Sequence, residues 1–96
     1  MKLQKKVVLI TGGSRGIGKA IAKLFAEQGA EIIITSKNQK KLQQASKEIK
    51  NSFFVAGDVR NNVDVKNVIN KTIKKFSRID ILVNNVGVLP KMKYLH

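Results

Sequence analysis

Cysteine is absent from this chain, and histidine occurs once, at His96. The first absence excludes disulfide frameworks, thiolate metal sites and cysteine nucleophiles, and a single imidazole cannot build a metal cluster. No apolar stretch reaches the length of a membrane-spanning helix. The opening Met1-Lys2-Leu3-Gln4-Lys5-Lys6 lacks the apolar block of a secretory signal, so a cytoplasmic location without membrane contact is expected. Acidic residues are scarce: 6 Asp and Glu stand against 19 Lys and Arg, a formal charge of +13. Such a balance suits phosphate neutralisation along a nucleic acid. Two further scarcities argue against that partner. Arginine occurs only at Arg15, Arg60 and Arg78, and aromatic residues, 5% of the chain, do not alternate with the cations to stack bases. The lysines are dispersed opposite apolar stripes. The expectation is no specific nucleic-acid partner, only weak, salt-sensitive adherence to polyanions.

What is present is an alternation of short β-branched runs and amphipathic stretches, with no linker or repeat, in 96 residues that bound a single small domain. The predicted strands are Lys6–Ile10, Ile32–Thr35, Phe53–Ala56 and Ile79–Val83. Between them, Ile17, Ala20, Ile21, Leu24 and Phe25 mark one helix face, and Gly29 stops that helix. Leu42, Ala45, Ser46 and Ile49 mark a second, and Val65, Val68, Ile69, Thr72, Ile73 and Phe76 a third that starts at the capping pair Asn61-Asn62. Near-continuous apolar strands separated by helices imply an α/β fold, a parallel sheet covered on both faces. Right-handed crossovers give the strand order 3-2-1-4, a partial Rossmann-type, doubly wound arrangement over residues 1–90, with 91–96 as a C-terminal tail.

The chain is organised around Thr11-Gly12-Gly13-Ser14-Arg15-Gly16-Ile17-Gly18, which joins the first strand to the first helix. Glycines let the backbone turn sharply and approach a ligand, and the helix start offers unpaired N–H groups to a phosphate. Two more stretches fall at strand ends: Asp58-Val59 and Asn84-Asn85-Val86-Gly87.

In order and spacing, these three motifs resemble the short-chain dehydrogenase/reductase family, from about Lys5 to Gly87. Ser14–Gly18 and Arg78–Asn84 look most like 3-oxoacyl-carrier-protein reductases and related carbonyl reductases. The resemblance implies a nicotinamide dinucleotide site. Gly12, Gly16 and Gly18 admit the pyrophosphate, with Thr11, Ser14 and Ile17 in the same turn. Asp58 accepts from the adenine amino group and Val59 lines the ring. Asn84 ties the central strands together beside the ribose, and Asn85, Val86 and Gly87 continue that border. Val86 stands where the family commonly has alanine, and Ser77 where it usually has glycine. An acid after the second strand would grip the ribose hydroxyls of NAD. Here Ser36, Lys37 and Asn38 follow instead, and Arg15 offers a second cation for a 2′-phosphate, so NADP is expected, with NAD the second choice.

The family reaction, hydride transfer between a nicotinamide and a carbonyl or alcohol, uses a serine and a tyrosine four residues before a lysine. Tyr94 has no residue four places on, and no serine follows Gly87. No catalytic residue is therefore assigned. The chain is expected to be the cofactor-binding part of an oxidoreductase, inactive alone. The competing reading is a non-catalytic module that pairs with a full-length relative. The apolar fourth strand, left at the sheet edge, is expected to promote self-association.

Overall fold

The computed structural model describes residues 3–14 and 16–85, together with the backbone of 91–93. Among the described residues, eight elements follow one another. They are β1 (Val7–Thr11), α1 (Gly16–Glu27), β2 (Glu31–Ser36), α2 (Gln39–Glu48), β3 (Ser52–Ala56), α3 (Asn62–Phe76), β4 (Ile81–Asn84) and β5 (Lys91–Lys93). The sheet order is β3-β2-β1-β4-β5, so the expected parallel 3-2-1-4 arrangement is present.

Alternation along the strands divides the core between the two sheet faces. Val8 and Ile10 of β1, Ile32 and Ile34 of β2, and Val83 of β4 pack under α1 and α2, against Ala22, Ala26, Leu42 and Ala45. Val7, Leu9 and Ile33 face the other way, with Val55 of β3 and Val68 of α3. β1 is buried along its whole length because strands flank it on both sides and helices cover both its faces.

The helix boundaries have local causes. Gly29, at φ 90°, ends α1 in a Schellman turn: its N–H donates to Ala26 O (3.0 Å) and that of Ala30 to Phe25 O (3.2 Å). Asn38 caps α2 by accepting from Lys41 N at 3.0 Å, and Asn61 caps α3 by accepting from Val63 N at 2.9 Å. Ser77 ends α3 at φ 71°, in the left-handed region, with its N–H on Ile73 O. An L side chain is strained there, at about 1–2 kcal/mol. Ser77→Gly should therefore stabilise the fold by about 0.5–1 kcal/mol once the added freedom of the unfolded chain is subtracted, read as a raised thermal midpoint. An unchanged or lowered midpoint would contradict the strain.

Two expectations are corrected. The core face of α1 is only in part the row of large apolar residues: Ile21 and Phe25 pack half-buried against the core, but the fully buried positions lie elsewhere. Gly18, Ala22 and Ala26 are the buried positions, while Ile17 is 61% and Leu24 56% exposed. Spaced four apart, these small residues form a single stripe. They let the helix lie close to the sheet, which turns Ile17 and Leu24 outward. The second correction concerns the fourth strand. It is not the sheet edge, because β5 pairs with it antiparallel, Asn84 opposite Lys91 and Leu82 opposite Lys93. An antiparallel partner needs only a short connection, and pairing satisfies backbone groups that an open edge would leave to solvent. Residues 91–93 are thus a strand and not part of a tail. The premise for association through an open β4 edge falls with it.

Candidate functional site

The carboxyl ends of β1, β2 and β3 open into a groove of about 620 Å³, a size that suits a small-molecule ligand. Its walls come from three strand-to-helix loops: Gly12, Ser14, Gly16 and Ile17 from the first; Thr35, Ser36, Lys37, Asn38 and Lys41 from the second; Gly57, Asp58, Val59 and Arg60 from the third. Asn85, just after β4, completes the lining. Most residues that the sequence nominates for cofactor binding thus meet around one space. Arg15, Val86 and Gly87, nominated with them, lie outside the described residues.

The first loop turns at Gly16, whose φ of +60° favours glycine, and a Cβ there would meet nothing within 4 Å. The space above Gly16 is open to a ligand. Gly18 is the opposite case. A Cβ at that position would overlap the carbonyl oxygen of Gly12 and lie 2.7 Å from Asn85 Nδ2, so Gly18 serves the close approach of α1 to the loop.

Thr11, Asn84 and Asn85 form a fastening beside the groove. Thr11 Oγ1 donates to Asn84 Oδ1 at 2.9 Å and accepts from Asn85 N at 2.9 Å. Since Thr11 and Asn84 are also register partners, side chain and ladder together bind β1 to β4 at the mouth of the site. Next to this fastening, a smaller cavity of about 240 Å³ runs under α3, lined by Leu9, Val68 and Leu82 among others, and shares Thr35, Asp58 and Val59 with the groove.

The third loop is ordered by its own acids. Asp64 Oδ2 accepts from Asp58 N at 2.8 Å. Asp58 Oδ1 accepts from Arg60 N at 2.9 Å and from Arg60 Nε at 3.2 Å, while Oδ2 accepts from Arg60 Nη2 at 3.3 Å. The Arg60 guanidinium, helped by the Arg60 N–H, holds the Asp58 carboxyl below its ordinary range, and the charge of Lys37 adds to this.

Sequence reasoning missed Thr35, Asn38, Lys41, Gly57 and Arg60 as groove residues. Lys41 carried a signal, its spacing of four from Lys37 across a helix start, and Arg60 another, its place two residues after Asp58. Thr35 carried none, being one more β-branched residue in a strand. Thr35 lines both spaces, while its Oγ1 is fully buried and finds no hydrogen-bond partner among the described residues. A buried hydroxyl without a partner is uncommon and calls for water or a ligand. The open space at Gly16 fits a polar, phosphate-bearing ligand in the groove. Among the described residues, no cluster of His, Cys, Asp and Glu suits a metal ion, and no helix is long and apolar enough to cross a membrane.

The comparisons with known proteins show the family and the fold. A family model described as short chain dehydrogenase matches residues 6–96. The L-fucose dehydrogenase of Bos taurus is 39% identical over 85 residues, covering 88% of this chain and 32% of the relative. An uncharacterized oxidoreductase of Thermotoga maritima is 43% identical over 94 residues, covering 94% of this chain and 37% of the relative. The crystal structure of a 3-ketoacyl-(acyl-carrier-protein) reductase from Brucella melitensis, complexed with NADH, superposes with a TM-score of 0.84 at 35% identity. That match covers 88% of this chain and 35% of the other. The chain thus spans about a third of the length of the relatives it matches.

Proposed function

The chain belongs to the short-chain dehydrogenase family, and from that membership we propose that its groove binds a nicotinamide dinucleotide, NADP(H) in preference to NAD(H). The observation that carries this reading is the groove itself. An open glycine turn at Gly16 faces a rim where Lys37, Lys41 and Arg60 outnumber the single acid, Asp58. The pyrophosphate lies over Gly12, Ser14, Gly16 and Ile17, at the start of α1, where N–H groups and the helix dipole favour an anion. Asp58 accepts from the adenine amino group, and Val59 lines the ring. Thr11, Asn84 and Asn85 hold the floor on which the ribose next to the nicotinamide rests. Ser36 and Lys37 receive the 2′-phosphate, because no acid stands after β2 to bind bare ribose hydroxyls. When bound, the nicotinamide supplies hydride chemistry. For the longer proteins of this kind the parent reaction is interconversion of a carbonyl and an alcohol. A cytoplasmic setting belongs to the same proposal.

Titration of the chain with NADPH and with NADH tests it. NADPH is expected to bind more tightly, and Lys37→Ala to weaken NADPH about tenfold while sparing NADH, the loss of one charge-assisted contact. A folded chain that binds neither nucleotide would end the cofactor reading, and tighter binding of NADH would end the preference for NADP.

A further inference from the structure

The 2′-phosphate reading leaves one charge unexplained. Asp58 lines the same groove as Lys37 and Lys41, and an ionised carboxylate there opposes a second anion on the adenosine. The Asp58–Arg60 fork answers it. Both carboxylate oxygens are engaged by one guanidinium, at 3.2 and 3.3 Å, a bidentate geometry that a lysine could not reproduce. The Arg60 side chain is 71% exposed, so the pair adds little to stability. What the fork changes is the field inside the groove. With Asp58 neutralised, the positive charges of Lys37 and Lys41 act on the ligand undiminished. We infer that Arg60 is a specificity-determining residue, which masks Asp58 so that the adenosine end of the groove admits a 2′-phosphate. It acts through Asp58 and is a positioning residue, not a catalytic one.

The inference rests on the NADP reading above, and fragment ligands separate the two. Calorimetric titration of the whole chain with 2′,5′-ADP and with 5′-ADP gives a preference ratio that depends on the 2′-phosphate alone. For the unaltered chain the ratio favours 2′,5′-ADP. Arg60→Gln is expected to lower it about fivefold, the effect of one unmasked charge several ångströms away in a largely aqueous setting. Adding Asp58→Asn to Arg60→Gln is expected to return the ratio towards its starting value, because the opposing charge is then gone. A structural or adenine-contact role would instead weaken both ligands equally in Arg60→Gln, with no recovery in the double variant. That outcome, or an unchanged ratio, overturns the inference while leaving the cofactor reading in place. Failure of the unaltered chain to bind either fragment, or to prefer 2′,5′-ADP, overturns both.

Discussion

Gly18→Ala is expected to be the most damaging single-methyl change in the chain. The added Cβ would overlap a backbone carbonyl, that of Gly12, and not the movable end of a side chain. The first turn of α1 must then lift away from the β1–α1 loop, and overpacking of this kind costs about 1–3 kcal/mol or more. For a domain of this size, that lowers the thermal midpoint by roughly 5–20 °C. Nucleotide binding is expected to disappear in the protein that remains folded, because the same shift carries Ser14, Gly16 and Ile17 out of line with the groove. Gly16→Ala is the informative companion. It meets no neighbour but keeps a φ of +60°, so its cost is conformational, about 1–2 kcal/mol. Equal melting of Gly18→Ala and the unaltered chain would show that α1 does not approach the loop as described.

Asp80→Ala should cost about 1.5–3 kcal/mol, the loss of hydrogen bonds to a charged acceptor. Asp80 Oδ2 accepts from Val7 N at 2.7 Å and from Arg78 Nε at 2.9 Å, and Arg78 Nη2 reaches Lys5 O at 3.1 Å. One carboxylate therefore secures the start of the central strand to the segment that leads into β4. The Val7 N–H, and after it the Arg78 guanidinium, hold this carboxyl below its ordinary range. The sign follows from linkage. With the folded pKa below the unfolded one, the stabilisation is complete above the ordinary aspartate pKa of about 3.9 and is lost as pH falls through the folded value. The difference in midpoint between the unaltered chain and Asp80→Ala should therefore be large at neutral pH and shrink with acidification. The exposed pairs of Glu48 with Lys19 and of Asp58 with Arg60 are present in both proteins and cancel. A difference independent of pH between 6 and 2 would remove Asp80 from this role.

The parallel order was legible because β-branched runs such as Val7–Ile10 and Ile32–Ile34 sit between helical stripes, and handedness leaves few ways to connect them. The capped start of α3 was legible for the local reason that Asn61 serves its own helix. The features that escaped depend on contacts distant in the chain. Nothing in Lys91-Met92-Lys93 marks a strand until β4 offers it a partner. Large apolar residues drew the eye to Ile17 and Leu24, whereas closeness to the sheet selects the small ones. Asp80, placed by sequence inside the fourth strand, lies just before it and secures it to the start of β1. At the site, the glycine turn could be named from its place between strand and helix, and Asp58 and the Asn84-Asn85 pair through the family resemblance that the three motifs carry together. Thr35 could not, since it is one more β-branched residue in a strand and only the fold shows its buried hydroxyl without a partner among the described residues.

The central position of β1 also sets an order of events on the ribosome. Val7–Thr11 emerges shortly before β2, its first partner. Its other neighbour lies more than seventy positions later: Val7 N meets Asp80, and Thr11 Oγ1 meets Asn84, across separations of 73 residues. Closing such a long loop is the slow part of building a sheet. Until Asn85 has been translated, the nascent chain holds a glycine turn whose strand is zipped along one side only, with the Thr11 hydroxyl lacking both Asn84 and Asn85. The glycine loop is thus made well before the contacts that fasten it to β4. Any ligand that requires the fastened form would act on the growing chain as a late clamp, not as an early template.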